Sequence, residues 1–346
     1  MFVRNAWYVA AWEHELSEGG LFTRTILGEP ILLYRKSEGG LVALDNRCCH
    51  RLAPLSRGSR EGDCVRCGYH GMKFDATGQC VDVPGQDSIP PSARVRQYPV
   101  VAKNRWVFVW MGDPQKADTA LLPDNFSNND PHWRGKPGYL TMNANYLLIA
   151  DNLLDFSHLT YVHQNTLGGS TDIAHSKPKI DKLPRGLRLT RRIANTVPAP
   201  YHRQFGNFDG NVDRWFIYDF LVPGVLLMSS GVKPIGLADD DYSGALKLHS
   251  CQAITPETEK STHYFFQQAH SFALHDDAVS ESIFNTLVVA FDEDRRMIES
   301  QQKMLDLNPK QRMVGLGSDS ALGQFRNLIH KQVLAEQQPQ RSSVSA

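Results

Sequence analysis

The chain has no charge bias. Its 37 lysines and arginines offset 37 aspartates and glutamates, and no long run of either sign occurs. That removes electrostatic support for binding nucleic acid or a membrane surface. No apolar stretch approaches the roughly 20 residues that a bilayer-spanning helix needs. The N-terminus, Met1 to Ala10, is aromatic and mixed and lacks the apolar core of a secretory leader. There is no Gly-x-Gly-x-x-Gly after a strand and no phosphate-binding loop, so a nicotinamide or flavin site is not expected in this chain. Cysteine is scarce, with six in the whole chain. Two of the six sit beside histidines at metal-binding spacing, which argues against a disulfide framework and for a reducing compartment; the cytoplasm is the expected location.

The 346 residues are 41% hydrophobic, enough for two cores. Residues 1–113 read as β structure: the apolar runs Ile31–Tyr34, Leu41–Leu44 and Trp106–Met111 are separated by turn signals around Gly39, Gly78 and Gly112. Residues 114–138, rich in Pro, Asn and Asp, read as a linker or overlying loop. Residues 139–336 mix helix and strand. The pattern predicts helices at about 147–163, 277–307 and 320–336, and strands at 215–222, 225–229, 245–254 and 263–270. The tail, 337–346, reads as disordered. The fold class is therefore α+β, with an all-β first domain.

Cys48-x-His50 is followed by sixteen residues and then Cys67-x2-His70. Each pair places a thiolate and an imidazole on one short loop. A [2Fe–2S] centre whose second iron takes two histidines needs this donor set. Structural zinc is the competing reading, but it favours Cys-x2-4-Cys with His-x3-5-His over mixed pairs. Cys49, Cys64, Cys80 and Cys251 read as small buried hydrophobes.

A second constellation follows around Asn152, Asp155, His158 and His163. A zinc-protease motif is excluded, because the histidines are five apart and no Glu follows His158. A facial triad of two histidines and one carboxylate for Fe(II) fits better and leaves coordination positions open. On an ideal helix, residues five apart diverge by about 140°, so either the helix is distorted or His163 lies past its end. The alternative is a pair of satisfied histidines at a helix end. The third ligand is sought on the helix over 277–307. There Ile283, Leu287, Phe291, Ile298 and Leu305 form one apolar stripe, and Asp294 falls near its centre. Asp292 points to the polar side and Glu293 lies at the edge. A carboxylate on a buried face is costly unless it is paired or binds metal, so Asp294 is preferred.

At this point the chain resembles a Rieske non-haem iron oxygenase, in its terminal oxygenase component. It is similar to the branch of vanillate O-demethylase and toluenesulfonate methyl-monooxygenase. The resemblance runs through Arg4–Ala10, Cys48–Arg51, Ala53–Ser56, Cys67–Phe74, Asp151–His163, Ile254–Glu257 and Phe291–Gln302. It implies a Rieske [2Fe–2S] domain and a helix-grip α+β catalytic domain. It implies that Cys48 and Cys67 bind one cluster iron and that His50 and His70 bind the other. It implies that His158, His163 and Asp294 hold the mononuclear Fe(II). Asp155 resembles the carboxylate that links a cluster histidine of one subunit, here His70, to an iron-ligand histidine of the next, here His158. Asn152 resembles an asparagine near the iron. The family's assembly implies a homotrimer, and electrons would come from a separate NAD(P)H-dependent flavin and ferredoxin reductase. The implied reaction is O2-dependent monooxygenation of a methyl or methoxy group on a small aromatic substrate, with formaldehyde released in the methoxy case. Ring dihydroxylation and a non-catalytic Rieske electron carrier are the alternatives. Met228 and Gln252 are the candidate substrate residues, from their strand positions before Ile254–Glu257. Two positions depart from the family pattern. Cys49 stands where proline is usual, and Met72 where many relatives have tryptophan.

Overall fold

The computed structural model describes residues 1–168, 170–206 and 208–337. The expected tail, 337–346, lies outside the described residues from 338 onward. The described chain divides into two compact units, one of residues 4–122 with 255–259, the other made of residues 1–3, 123–254 and the described residues from 260 onward.

The first unit is all β. One sheet orders β1 (Trp7–Trp12), β10 (Trp106–Trp110) and β9 (Val100–Lys103), and a second β2 (Phe22–Ile26), β3 (Glu29–Arg35) and β4 (Leu41–Asp45). The third runs β5 (Ser59–Glu61), β6 (Cys64–Arg66), β7 (Lys73–Phe74) and β8 (Cys80–Asp82). All residues of β1 and β10 are buried, and their antiparallel register sets Trp7 against Trp110 and Trp12 against Trp106. Those indole pairs sit 5.3 and 5.7 Å apart, in tilted or edge-on contacts suited to aromatic quadrupoles. Residues 255–259 belong with this unit: Thr255 Oγ1 donates to the Val9 carbonyl at 2.8 Å, and Gly28 N donates to the Glu257 carbonyl at 2.7 Å.

The second unit has one antiparallel sheet of seven strands. Its order is β11 (Pro137–Met142), β17 (Ser261–His270), β16 (Leu246–Thr258), β15 (Val225–Lys233), β14 (Val212–Leu221), β13 (Gly186–Thr196) and β12 (Lys179–Leu183). The helices are α1 (Tyr146–Leu154), α2 (Asp172–His175), α3 (Pro200–Phe205), α4 (Asp277–Leu307) and α5 (Ser320–Gln337). Strands β12 and β13 are not expected from the sequence pattern. In both, charged residues interrupt the alternation, and the Arg188–Asp219 ion pair ties β13 to β14. Helix α4 has the predicted ends. Asp276 caps it by accepting from Ala278 N at 2.9 Å, and its buried face includes Ile283, Leu287, Phe291, Asp294 and Ile298.

One expectation is corrected. The helix predicted over 147–163 ends at Leu154, and Asp155 is extended at φ −127°, ψ 94°. The Asp155 carboxylate accepts from Ser157 N at 2.9 Å and starts a 3-10 turn, Phe156–Thr160. An aspartate gains more by capping a new turn than by continuing an old helix. His158 therefore lies in the 3-10 turn, and His163 just before a π-helical turn, Gln164–Gly168.

Candidate active site

Two sites hold the residues singled out by sequence. In the first unit, Cys48 lies on the loop after β4 and Cys67 on the loop between β6 and β7. The Cys48 amide donates to the Ala53 carbonyl at 2.9 Å, and the Cys67 amide to the Met72 carbonyl at 2.8 Å, so each loop closes on itself. The loops also press backbone on backbone. A Cβ on Gly58 would meet the Arg66 carbonyl at 1.9 Å, and one on Gly68 the Arg57 carbonyl at 2.6 Å.

The donor atoms are split by environment. Cys48 and Cys67 are 2% and 3% exposed and belong to the core with Leu32, Leu44 and Val65. His50 and His70 are exposed, with ring centroids 4.6 Å apart. Burial pushes the Cys48 thiol up to about 11, with the nearby Cys67 thiol adding to the rise. Desolvation lowers His70, with His50 and Arg51 nearby adding to the fall, which favours the neutral ring that a metal requires. Two buried thiols on the same loops as two exposed imidazoles suit an iron–sulfur cluster. Cys49 is exposed and Cys64 half-buried, contrary to the expectation of buried hydrophobes; Cys80 and Cys251 are buried.

In the second unit, His158, His163 and Asp294 each offer one donor atom, all within 4.8 Å of one another. Asp294 Oδ1 lies 3.1 Å from His163 Nε2 and 3.6 Å from His158 Nε2. The opposite ring nitrogens are engaged. His158 Nδ1 meets the Asp155 carbonyl at 2.5 Å, and His163 Nδ1 meets Glu293 Oε2 at 2.8 Å. A carbonyl only accepts, so His158 Nδ1 carries the hydrogen and its Nε2 presents a lone pair. Glu293 engages His163 through Nδ1 in the same way and leaves Nε2 turned toward Asp294. Two ring nitrogens and a carboxylate converge on one point, an arrangement that a bound cation would hold together. Burial depresses His163, but the Asp294 and Glu293 carboxylates outweigh it and leave it raised; burial dominates at His158, which is lowered despite Asp294. Asn152 Nδ2 donates to Asp294 Oδ1 at 2.9 Å and orients the carboxylate.

Glu293, at the edge of the apolar stripe, has a role that the sequence pattern does not assign: it holds His163 Nδ1. Its signal was there: adjacent helical residues turn by about 100°, so Glu293 flanks the side chain that Asp294 presents. The contact of Asp155 with His158 also differs from expectation. It runs through the backbone carbonyl, while the carboxylate caps the following turn.

This site opens on a cavity walled by Leu153, Phe156, Leu159, Leu248 and Phe291, with Met228 and Gln252 also in its lining. The Gln252 side chain is already committed at both ends. Tyr264 Oη donates to its Oε1 at 2.5 Å, and its Nε2 donates to Ser250 Oγ at 3.0 Å. One N–H remains for a ligand.

Residues 6–99 match the family model for the Rieske [2Fe-2S] domain. Residues 142–335 match the vanillate O-demethylase oxygenase C-terminal domain. The chain is 48% identical over 343 residues to the toluene-4-sulfonate monooxygenase system iron-sulfur subunit of Comamonas testosteroni, covering 97% of this chain and 98% of the relative. It is 37% identical to the dicamba O-demethylase oxygenase component of Stenotrophomonas maltophilia, over 80% of each. Among solved structures, dicamba monooxygenase bound to 3,6-dichlorosalicylic acid superposes with a TM-score of 0.90 at 32% identity, covering 97% of this chain and 98% of that one. Among the described residues, no helix is long and apolar enough to cross a membrane.

Proposed function

The chain belongs to the Rieske non-haem iron oxygenases, in the vanillate O-demethylase branch, and from that membership we propose that His158, His163 and Asp294 hold the mononuclear iron and that an aromatic methyl or methoxy compound fills the cavity above them. The protein is a Rieske monooxygenase oxygenase component and works with a separate reductase. The observation that carries the site assignment is the convergence of two ring nitrogens and Asp294 at the floor of a mainly apolar cavity. Cys48 and Cys67 would hold one iron of the cluster, and His50 and His70 the other.

The bound metals supply electron delivery and O2 activation; the chain supplies position and exclusion. One oxygen atom enters the substrate C–H bond and the other leaves as water, with two electrons from the reductase and two protons. A methoxy carbon then departs as formaldehyde, and an aryl methyl becomes a benzylic alcohol. Glu293 fixes the ring of His163, the Asp155 carbonyl fixes the ring of His158, and Asn152 fixes Asp294. The apolar wall keeps bulk water from the reacting carbon. Two relatives that carry the name O-demethylase and one named for toluene-4-sulfonate support a methyl-bearing aromatic as the substrate class. We assign a homotrimer in which Asp155 joins the His158 side to the partner subunit's cluster, and a flavin- and ferredoxin-containing reductase. The test is iron analysis with product analysis. About three irons per chain and a hydroxylated or demethylated product are expected; two irons, or a cis-diol product, would overturn the assignment.

A further inference from the structure

Arg214 is a buried cation on the cavity wall that no carboxylate among the described residues neutralises. It stands on β14, two residues before Phe216, and both side chains line the cavity. It is 2% exposed. Nη1 donates to the Gly168 carbonyl at 2.7 Å and Nη2 to the Leu167 carbonyl at 2.8 Å. The guanidinium lies 4.6 Å over the Phe216 ring, and the Tyr201 hydroxyl contacts it. Its Nε is buried with no hydrogen-bond partner. Among the described residues it forms no ion pair.

Arg191 on β13 makes the contrast. It is also buried and also held by carbonyls, those of Ile173 and Ser176, but the Asp155 carboxylate acts on it. For Arg214 the one favourable partner besides carbonyls and ring is Tyr201, and burial lowers it. His202, buried nearby, is held neutral by desolvation and by the Arg214 charge. This stretch of wall therefore carries one positive charge. A buried charge without a counter-charge is costly. Holding two carbonyls does not require it, because a neutral amide could donate there. A guanidinium has five N–H donors in a flat fork that matches paired anionic oxygens.

We propose that Arg214 is the receptor for an anionic headgroup on the substrate, a sulfonate or carboxylate borne by the aromatic ring. The proposal rests on the cavity being the substrate site of the oxygenase. Tyr201, also in the cavity lining, stands beside the fork as a further donor.

The experiment titrates the iron-loaded holoenzyme calorimetrically with 4-methylbenzenesulfonate, 4-methylbenzoate and the neutral 4-methylbenzenesulfonamide, and follows oxidised product with a surrogate reductase. Wild type should bind at least one anion on the order of 100-fold more tightly than the sulfonamide. Arg214→Gln should erase that preference at unchanged iron content. Arg214→Lys should weaken anion binding on the order of 10-fold yet keep the preference, because charge stays and the fork is lost. Whichever anion binds more tightly identifies the headgroup. If Arg214→Gln does not fold, Arg214→Lys and Tyr201→Phe carry the test, and either variant binding the anions as wild type does would overturn the assignment. Equal affinity for anion and sulfonamide in wild type would also overturn it. Oxidised product without charge preference sinks the receptor and leaves the oxygenase reading standing. An Arg214-dependent preference with no oxidised aryl methyl compound does the reverse.

Discussion

The loops of Cys48, His50, Cys67 and His70 bring four donors together within 23 residues. The pocket of His158, His163 and Asp294 draws its donors from a 3-10 turn, the residue just before a π-helical turn, and a helix more than a hundred residues later. In the first, thiols are buried, imidazoles are exposed, and backbone turns do the positioning. In the second, each ring is fixed through its other nitrogen, and the carboxylate is fixed by an amide. A local motif needs little outside help. A site assembled from distant segments needs a second layer of hydrogen bonds to aim each donor.

Removing a donor from the distant site should give the largest effect. Asp294→Ala is expected to abolish product formation and to lower iron from about three to about two per chain with the cluster spectrum intact. Loss of the cluster spectrum as well would mean that the two sites are not independent. Next, Asp155→Asn should retain both metals, since the carbonyl contact to His158 survives, while slowing single-turnover reduction on the order of 100-fold. Normal reduction would remove Asp155 from the electron route. Glu293→Gln should weaken iron retention or activity by about 10-fold, read by iron content after dialysis, and should leave the cluster spectrum unchanged. If Met228→Ala and Gln252→Ala both leave substrate affinity unchanged, those two side chains only fill the cavity wall.

The smallest effect concerns pH. Burial pushes His249 down to about 4 from an ordinary 6.5. Below 6.5 the unfolded chain takes up a proton that the folded ring refuses. Stability should therefore decline as pH falls from 6.5 toward 4, by up to about 1.4 kcal/mol per pH unit for one proton. Above 6.5 this group contributes no slope. Denaturant titrations of wild type and His249→Gln across that range would expose the difference, and identical slopes would discard it.

Much of this was legible in the chain. The cluster loops announce themselves because their donors are close in sequence, and α4 because 31 residues sustain one periodicity. The stripe geometry selected Asp294, which is buried in the structure. What escaped were features set by competition or by distance. Asp155 ends α1 because a capping bond outcompetes one more helical turn, and helical periodicity through Leu154 cannot signal that. Glu293 is a charged residue on a helix flank until His163 arrives from 130 positions away. Arg214 sits in a strand with ordinary alternation, and only the fold shows that no carboxylate among the described residues accompanies it.

Consecutive Glu293 and Asp294 on one rigid helix carry a consequence for how this protein can change in length. Deleting one residue of α4 upstream of them turns both side chains by about 100° relative to the rest of the helix, and no loop lies between Asp277 and Glu293 to absorb it. The cluster loops tolerate more. Between His50 and Cys67 the chain passes through the β5–β6 hairpin, whose turn carries Gly62 (φ +61°), where an added Cβ would meet nothing within 4 Å. Length variation should accumulate at that turn and be purged from the first half of α4.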